Sequence, residues 1–389
     1  MTEQIKLVDY ASTPRQAEIV TLQESGITYS EIAKRLELSV NQVDRALRTV
    51  RGRAARSGFS PDHDMTHPVP DGFRLKGTST LYDEDGNQRM QWVKTTADQD
   101  QLARYAKQLS ESILETVKPI KPRKLTKVAR DPDKMVVYPL GDAHIGLYCW
   151  SGDAEEDWDS KIAETTMIEA FDAVLQGSPN TKKAMIVNLG DWIHTDTLAN
   201  VTLASGHQLD VDTRWSKVID LGFRLMRTLI DSALMKHEEV HVINENGNHD
   251  FHTAQMTSIA LNALYENEPR VTIDVSPDVF HWYEFGSNLF GVHHGHKVKP
   301  ARLYQVMCED QAEAWGRCPH RTWLLGHVHH HSSVDEGTQK IESFRTIIPR
   351  DTYAHSHGYR SPRGQQAITY HRKYGECSRV QYLVQSKSE

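Results

Sequence analysis

Apolar residues gather in five short runs, at 135–140, 184–189, 240–243, 289–293 and 322–325. Each has the length of a strand and little polar interruption, the pattern of a buried strand. Between them, at about 160–175, 213–236, 253–266 and 300–315, apolar residues recur at helical spacing. Strand and helix patterns that alternate in this way predict an α/β domain from residue 134 onward. Two further strand-like stretches, about 366–371 and 379–384, flank a turn at Tyr374-Gly375.

Residues 13–57 follow a different rhythm. Thr13-Pro14-Arg15-Gln16, Thr28-Tyr29-Ser30-Glu31 and Ser39-Val40-Asn41-Gln42 each match the capping box that opens a helix, with Pro14 at the favoured first helical position. Gly26 is a stop for the first helix. Ile32, Ala33, Leu36 and Leu38, then Val43, Ala46, Leu47 and Val50, mark the inner faces of the second and third. A short helix, a tight turn near Glu37-Leu38 and a longer helix bearing Arg45, Arg48, Arg51, Arg53 and Arg56 resemble the helix-turn-helix modules of sigma factors and phage regulators. The resemblance implies an all-α DNA-binding domain over residues 1–60, with Arg45, Arg48 and Arg51 facing the nucleic acid. Three helices with solvated arginines, or a protein-binding module, are the alternatives.

Thr78 to Val93 reads as a β-hairpin turning at Asp85-Gly86. Leu102, Tyr105, Ala106, Leu109 and Ile113 mark one amphipathic helix, and together these form an accessory element over 61–118. Residues 119–133 read as a linker: Lys118 to Arg130 holds six basic residues, two prolines and no acid. Its Lys121, Arg123 and Lys124 are further candidate contacts to a phosphate backbone. The α/β domain then takes 134–389.

A chain of 389 residues has room for two or three domains. With 38% hydrophobic and 25% charged residues it belongs among globular proteins rather than disordered or membrane ones. No apolar run reaches transmembrane length, and Met1-Thr2-Glu3-Gln4-Ile5-Lys6 lacks the apolar core of a signal peptide. Cys149, Cys308, Cys318 and Cys377 are scattered without zinc-like pairing, which suits free thiols in a cytoplasm. The net charge of −7 hides an asymmetry: residues 1–130 carry 21 Lys+Arg against 17 Asp+Glu, the remainder 24 against 35. The basic front suggests an anionic partner, and the acidic rear suits the gathering of cations.

Histidine gives the rear half its chemistry. Of the 21 histidines, many follow the apolar runs beside Gly or Asp. The first run ends in Gly141-Asp142-Ala143-His144, the second in Gly190-Asp191-Trp192-Ile193-His194 and the third in Gly247-Asn248-His249-Asp250. The fourth ends in His293-His294-Gly295-His296 and the fifth in Gly326-His327-Val328-His329. Any one could be an ordinary polar turn; five in series, at the strand ends where open α/β sheets place their sites, point to one centre. Carboxylate, imidazole and amide donors suit Mn²⁺, Fe²⁺ or Zn²⁺, and the absence of cysteine disfavours a structural zinc site. Seven ligands are too many for one catalytic ion with an open position and suit two ions about 4 Å apart.

The series Asp-x-His, Gly-Asp, Gly-Asn-His-Asp, His-Gly-His, Gly-His-x-His resembles the calcineurin-like metallophosphoesterases over about residues 140–330. The resemblance implies a two-sheet β-sandwich flanked by helices, with two divalent ions, Mn²⁺ foremost, at the strand ends. Motif by motif, Asp142, His144 and His329 would hold the first ion, Asp191 would bridge, and Asn248, His294 and His327 would hold the second. His294 is chosen over His293 and His296 because the family's ligand directly precedes a glycine there. His249 would face the substrate and act on the leaving oxygen, with Asp250 orienting its ring. His194 stands where many members have a second Asp. Gly-Asp-x-x-His is closer to the SbcD-type DNA nucleases and makes His194 a candidate substrate contact. The His-Gly-His motif is commoner in phosphatases and small phosphodiesterases. His207 to Trp215 has no counterpart and is a candidate lining of the cleft.

Together these features predict a metal-dependent phosphodiesterase acting on DNA, a nuclease of phage or bacterial type. One alternative is a phosphatase or cyclic-nucleotide phosphodiesterase that its N-terminal module merely localises. Another is a DNA-binding regulator with a degenerate phosphoesterase domain, against which stands the full set of ligands. Neither an ATPase partner nor an oligomeric state follows from these residues.

Overall fold

The computed structural model describes residues 6–60, 65–66, 73–82, 88–97, 128–196, 200–202 and 208–385. The chain divides into two compact units, residues 1–107 and 108–389. The predicted helix at 102–113, the Asp85-Gly86 turn and the linker residues Lys121, Arg123 and Lys124 lie outside the described residues. So does His207, the first residue of the unplaced stretch.

In the first unit, helices α1 (Pro14–Glu24), α2 (Tyr29–Arg35) and α3 (Val40–Arg56) begin where the capping residues stand. The hydroxyls of Thr13, Thr28 and Ser39 accept from the backbone N–H of Gln16, Glu31 and Gln42, satisfying donors that a helix start leaves open. Ile19, Val20, Ile32, Ala33, Val43, Leu47 and Val50 form the shared core. Gly26 and Glu37, both with positive φ, turn the chain between helices. Beyond the helices the unit adds β1 (Phe59–Ser60), β2 (Met65–Thr66) and the paired strands β3 (Phe73–Tyr82) and β4 (Gln88–Ala97), so the all-α description fits the helical segment alone.

The arginines of α3 divide. Arg45 and Arg48 are exposed, Arg48 pairing with Asp44 at 3.0 Å. Arg51, exposed as well, reaches back to Gln23 Oε1 and Tyr29 Oη, each at 3.4 Å, and the part-buried Arg53 donates to the Tyr10 carbonyl at 2.6 Å. Arg51 thus leans toward the other two helices while its side chain stays exposed.

The second unit stacks two sheets. Strands β5 (Asp131–Leu140), β6 (Thr181–Asn188), β7 (Glu239–Asn244) and β8 (Val271–Ile273) run parallel, and β14 (Gly364–His371) and β15 (Gly375–Leu383) extend that sheet antiparallel beyond β5. The other sheet has the order β12 (Ser332–Glu336), β13 (Gln339–Ser343), β11 (His320–Leu325), β10 (Asn288–His293), β9 (His281–Phe285), with β10, β11 and β13 parallel. Strand periodicity sorts the side chains. Met135 and Val137 of β5 join Phe290 and Val292 of β10 in the core between the sheets. Val136, Tyr138 and Leu140 face outward onto helices α4 (Ser160–Gly177) and α5 (Trp215–Lys236). Leu289, Trp323 and Leu325 pack outward on α7 (Pro300–Asp310) and α8 (Ala312–Arg317). The apolar runs are continuous because both faces of these strands are covered.

Helix α6 (Phe251–Leu264) follows β7, and a short α9 (Thr352–Ser356) precedes β14. The helical pattern at 300–315 is split at Gln311 into α7 and α8. This is the layered α/β arrangement that the resemblance implies. Among the described residues no helix is long and apolar enough to cross a membrane.

Candidate metal centre

Strands β5, β6 and β7 of one sheet and β10 and β11 of the other end at the same edge of the sandwich, and the five motifs meet there. The loops after β5 and β6 zip together: His144 N–H donates to the Asp191 carbonyl at 2.9 Å, and His194 N–H to that of Ile145 at 3.0 Å. Six described residues other than glycine have positive φ, and four of them are His144, Asp191, His327 and His329. That backbone costs a side-chain-bearing residue about 1–2 kcal/mol. Its concentration on four predicted ligands marks a site where fold stability offsets local strain. Gly247 is needed for close approach: a Cβ there would overlap the Asp191 carboxylate.

Three groups of donor atoms result among the described residues, one of them the all-imidazole set His144, His194 and His249 that shares His144 with the first of the two carboxylate–imidazole clusters. Ligand atoms of Asp142, His144 and His329 lie within 4.8 Å of one another, and so do those of Asp191, His294 and His327. Asp191 stands between the clusters, its Oδ2 3.3 Å from His294 Nε2 and 3.8 Å from His144 Nε2. Asn248 Oδ1 is 3.1 Å from His294 Nε2, on the side of the second cluster. His294 Nδ1 faces the Leu189 carbonyl at 2.8 Å, which fixes the ring and turns Nε2 inward. His293 stacks on Phe280, ring centroids 5.0 Å apart, away from the clusters.

These donors fit divalent cations. The buried carboxylate of Asp142 takes no well-formed hydrogen bond among the described residues; its neighbours are imidazole nitrogens, His329 Nε2 at 2.9 Å and His294 Nδ1 at 3.9 Å. His144 Nε2 and His329 Nε2 face each other at 3.2 Å, two nitrogens that both converge on the Asp142 side of the site. Burial alone would lower His294, but Asp191 and Asp142 outweigh it and push its pKa up to about 10. Burial likewise opposes the protonated His329, and Asp142 reverses it. Burial and then the neighbouring His249 hold His144 well below the usual imidazole range. The carboxylates thus draw positive charge onto two of the imidazoles, the charge that a bound cation would supply.

His249 belongs to the rim. Its ring lies edge-on to His144 with centroids 4.7 Å apart, and its Nδ1 is 2.8 Å from the His194 carbonyl, leaving Nε2 for another partner. The expected partner was Asp250, and this is corrected. Asp250 is fully buried and accepts four backbone N–H groups: Asp191 at 3.1 Å and Gly247 at 2.8 Å on Oδ1, Trp192 at 2.7 Å and Ile193 at 3.2 Å on Oδ2. With both oxygens committed it cannot reach the ring, and it serves to clamp the Asp191 loop onto the Asn248 loop. Burial, then Asp191 and Asp196, push its pKa up to about 8. His194 is buried, with Nδ1 3.2 Å from His144 Nδ1 and its ring stacked on His249 at 5.4 Å; burial and then His249 lower its pKa to about 3. It sits behind His144 rather than on the open rim, so the expectation of direct substrate contact is revised to one of support.

Two features escaped the sequence. Asp196 accepts from His252 N–H at 2.6 Å and Thr253 N–H at 3.0 Å, capping α6 from 55 residues upstream. Buried His281 links Glu245 and Asp274, each at 2.9 Å, and its pKa rises to about 9 because these carboxylates overcome burial. Glu245 directly follows β7, where its charge was visible but its partner, 36 residues on, was not.

No family model matches the chain, and comparison with curated proteins finds no relative. Among solved structures, a conserved Streptococcus pneumoniae protein described as a predicted phosphoesterase aligns at TM-score 0.27 and 12% identity, covering 64% of this chain and 98% of its own. Vps29 of Entamoeba histolytica, complexed with Zn²⁺, gives the same figures. A Staphylococcus aureus protein described as a 5′-nucleotidase aligns at TM-score 0.33 and 11% identity, over 66% of this chain and 55% of that one. At scores this low neither fold nor activity follows from the likeness.

Proposed function

We propose that this chain is a phosphodiesterase that uses two divalent ions to cleave DNA, a nuclease whose N-terminal helices engage the substrate. The observation that carries the reading is the pair of carboxylate–imidazole clusters with Asp191 between them. Asp142, His144 and His329 would hold one ion, Asn248, His294 and His327 the other, and Asp191 both. When bound, the ions polarise a phosphoryl group and make hydroxide available near neutral pH. The chain's own residues do the rest. His249, held through Nδ1 by the His194 carbonyl, presents Nε2 to protonate the leaving oxygen. Asp250 fixes the loops that carry Asp191 and Asn248. Arg45 and Arg48 offer exposed cations to a phosphate backbone.

The His294-Gly295-His296 motif favours one second reading, a phosphatase or small phosphodiesterase. Turnover of DNA, bis(p-nitrophenyl) phosphate and p-nitrophenyl phosphate by the full chain with Mn²⁺ separates the two. The nuclease reading predicts cleavage of the first two. Preference for the monoester would contradict it.

A further inference from the structure

Along the chain just past His144 lies a hollow of about 250 Å³, lined by Tyr148, Cys149, Trp150, Asp153, Asp210 and Thr352. Two large aromatics stand at its surface, Tyr148 44% and Trp150 59% exposed. Trp150 is nevertheless held in place: its six-membered ring lies so close over Gly152 that a Cβ there would come within 2.5 Å of it. The backbone N–H groups of Asp153 and Ala154 both donate to the Trp150 carbonyl, at 3.1 and 2.9 Å, closing the turn beneath it.

The hollow is tied to the candidate centre on two sides. Tyr148 follows His144 by one tight turn, in which Leu147 N–H donates to the His144 carbonyl at 2.9 Å, and Tyr148 N–H then donates to the Asp210 carbonyl at 3.1 Å. That same carbonyl lies near enough to His194 to favour its protonated form. Asp351, next to Thr352, acts electrostatically on both His329 and Cys149.

Its chemistry is particular. The lining has aromatic faces and two exposed carboxylates, Asp153 and Asp210, and contains no Lys or Arg among the described residues. Such a surface repels phosphate and attracts a flat ring that carries donors. A carboxylate only accepts hydrogen bonds. Guanine offers two adjacent N–H donors on one edge; adenine and thymine set an acceptor beside their donor, which a carboxylate would oppose. We propose that this hollow is a nucleobase subsite that stacks a base on Trp150 and Tyr148 and selects guanine through Asp153 and Asp210. As a substrate subsite it rests on the phosphodiesterase reading above.

The deciding test needs no turnover. Tryptophan fluorescence of the chelator-treated full chain is followed during titration with deoxyguanosine, deoxyadenosine and thymidine. Deoxyguanosine is expected to quench at concentrations roughly tenfold or more below the other two, the scale of one stacked and paired base. Trp150→Phe should remove the quench, and Asp153→Asn should remove the preference for guanine. Equal quenching by all three nucleosides, quenching that survives Trp150→Phe, or a response to putrescine in their place would overturn the proposal. With Mn²⁺ added, cuts beside guanine in an end-labelled oligonucleotide identify a strand as the source of the base. Selectivity confined to the p-nitrophenyl ester of deoxyguanosine monophosphate identifies a mononucleotide. Absence of all hydrolysis would contradict the phosphodiesterase reading and leave the fluorescence result to decide on the hollow.

Discussion

Asp191 and His249 are neighbours in space but differ in what their loss should do. Asp191 lies between both clusters, so Asp191→Asn should weaken metal binding at each and remove most activity; elemental analysis alongside rate checks this. His249 is on the rim, so His249→Ala should keep both ions and lose about 10²–10⁴-fold in rate. Loss of metal in that variant would make His249 a ligand. Asp250→Asn should now be a structural defect. An amide presents one oxygen where four N–H groups converge, and each lost buried partner costs about 1–3 kcal/mol. Thermal melts should show it even without metal. Proton linkage gives a further test. His294, raised to about 10 without metal, must lose its proton to bind an ion through Nε2. Affinity should therefore rise with pH up to that value, with protons released on binding, measurable by calorimetry in buffers of different ionisation enthalpy. The residue types and their order were legible in the sequence because ligand chemistry is local. The Asp250 clamp was not, because its donors at 191–193 lie nearly sixty residues away.

Elements were legible where periodicity was strong. The capped helices of the first unit and the five apolar strands could be read directly. Strands β12 and β13 could not, because their residues are largely polar: Ser332-Ser-Val-Asp-Glu and Gln339-Lys-Ile-Glu-Ser. In β13 the polarity has a purpose that only the packed structure shows. Glu342, fully buried, takes the Arg379 guanidinium on both oxygens, with Lys340 and His331 each at 2.8 Å. Arg379 is on β15, so this network bonds one sheet to the other. Burial would raise the Glu342 pKa, but Arg379 and Lys340 lower it to about 2. The folded value lies below the unfolded one, so the stabilisation is present above about pH 4.5 and is lost as pH falls toward 2. Arg379 and Lys340 keep Glu376 as a second partner at 3.0 and 2.9 Å, so Glu342→Gln should destabilise the second unit by about 1–3 kcal/mol, the scale for a buried polar group left short of a partner, and should flatten that acid limb in denaturant titrations.

On the scale of the whole molecule, a unit whose third helix exposes Arg45 and Arg48 is joined to a unit whose strand ends gather candidate metal-ligating donors. If Arg45 and Arg48 meet phosphates, Arg45→Ala with Arg48→Ala should lower the salt slope of DNA binding by about two and leave the Val43, Leu47 and Val50 core intact. Gel-shift titrations across a salt series check this, and an unchanged slope would place the DNA contact elsewhere. The association of two-ion hydrolysis with DNA is most directly tested by cleavage of end-labelled single- and double-stranded DNA by the full chain, with Mn²⁺ or with excess chelator, beside the Asp191→Asn variant. The proposed function predicts a product ladder that requires Mn²⁺ and disappears with Asp191→Asn. Cleavage that persists in chelator, or intact DNA in Mn²⁺ while a phosphomonoester is turned over, would contradict it.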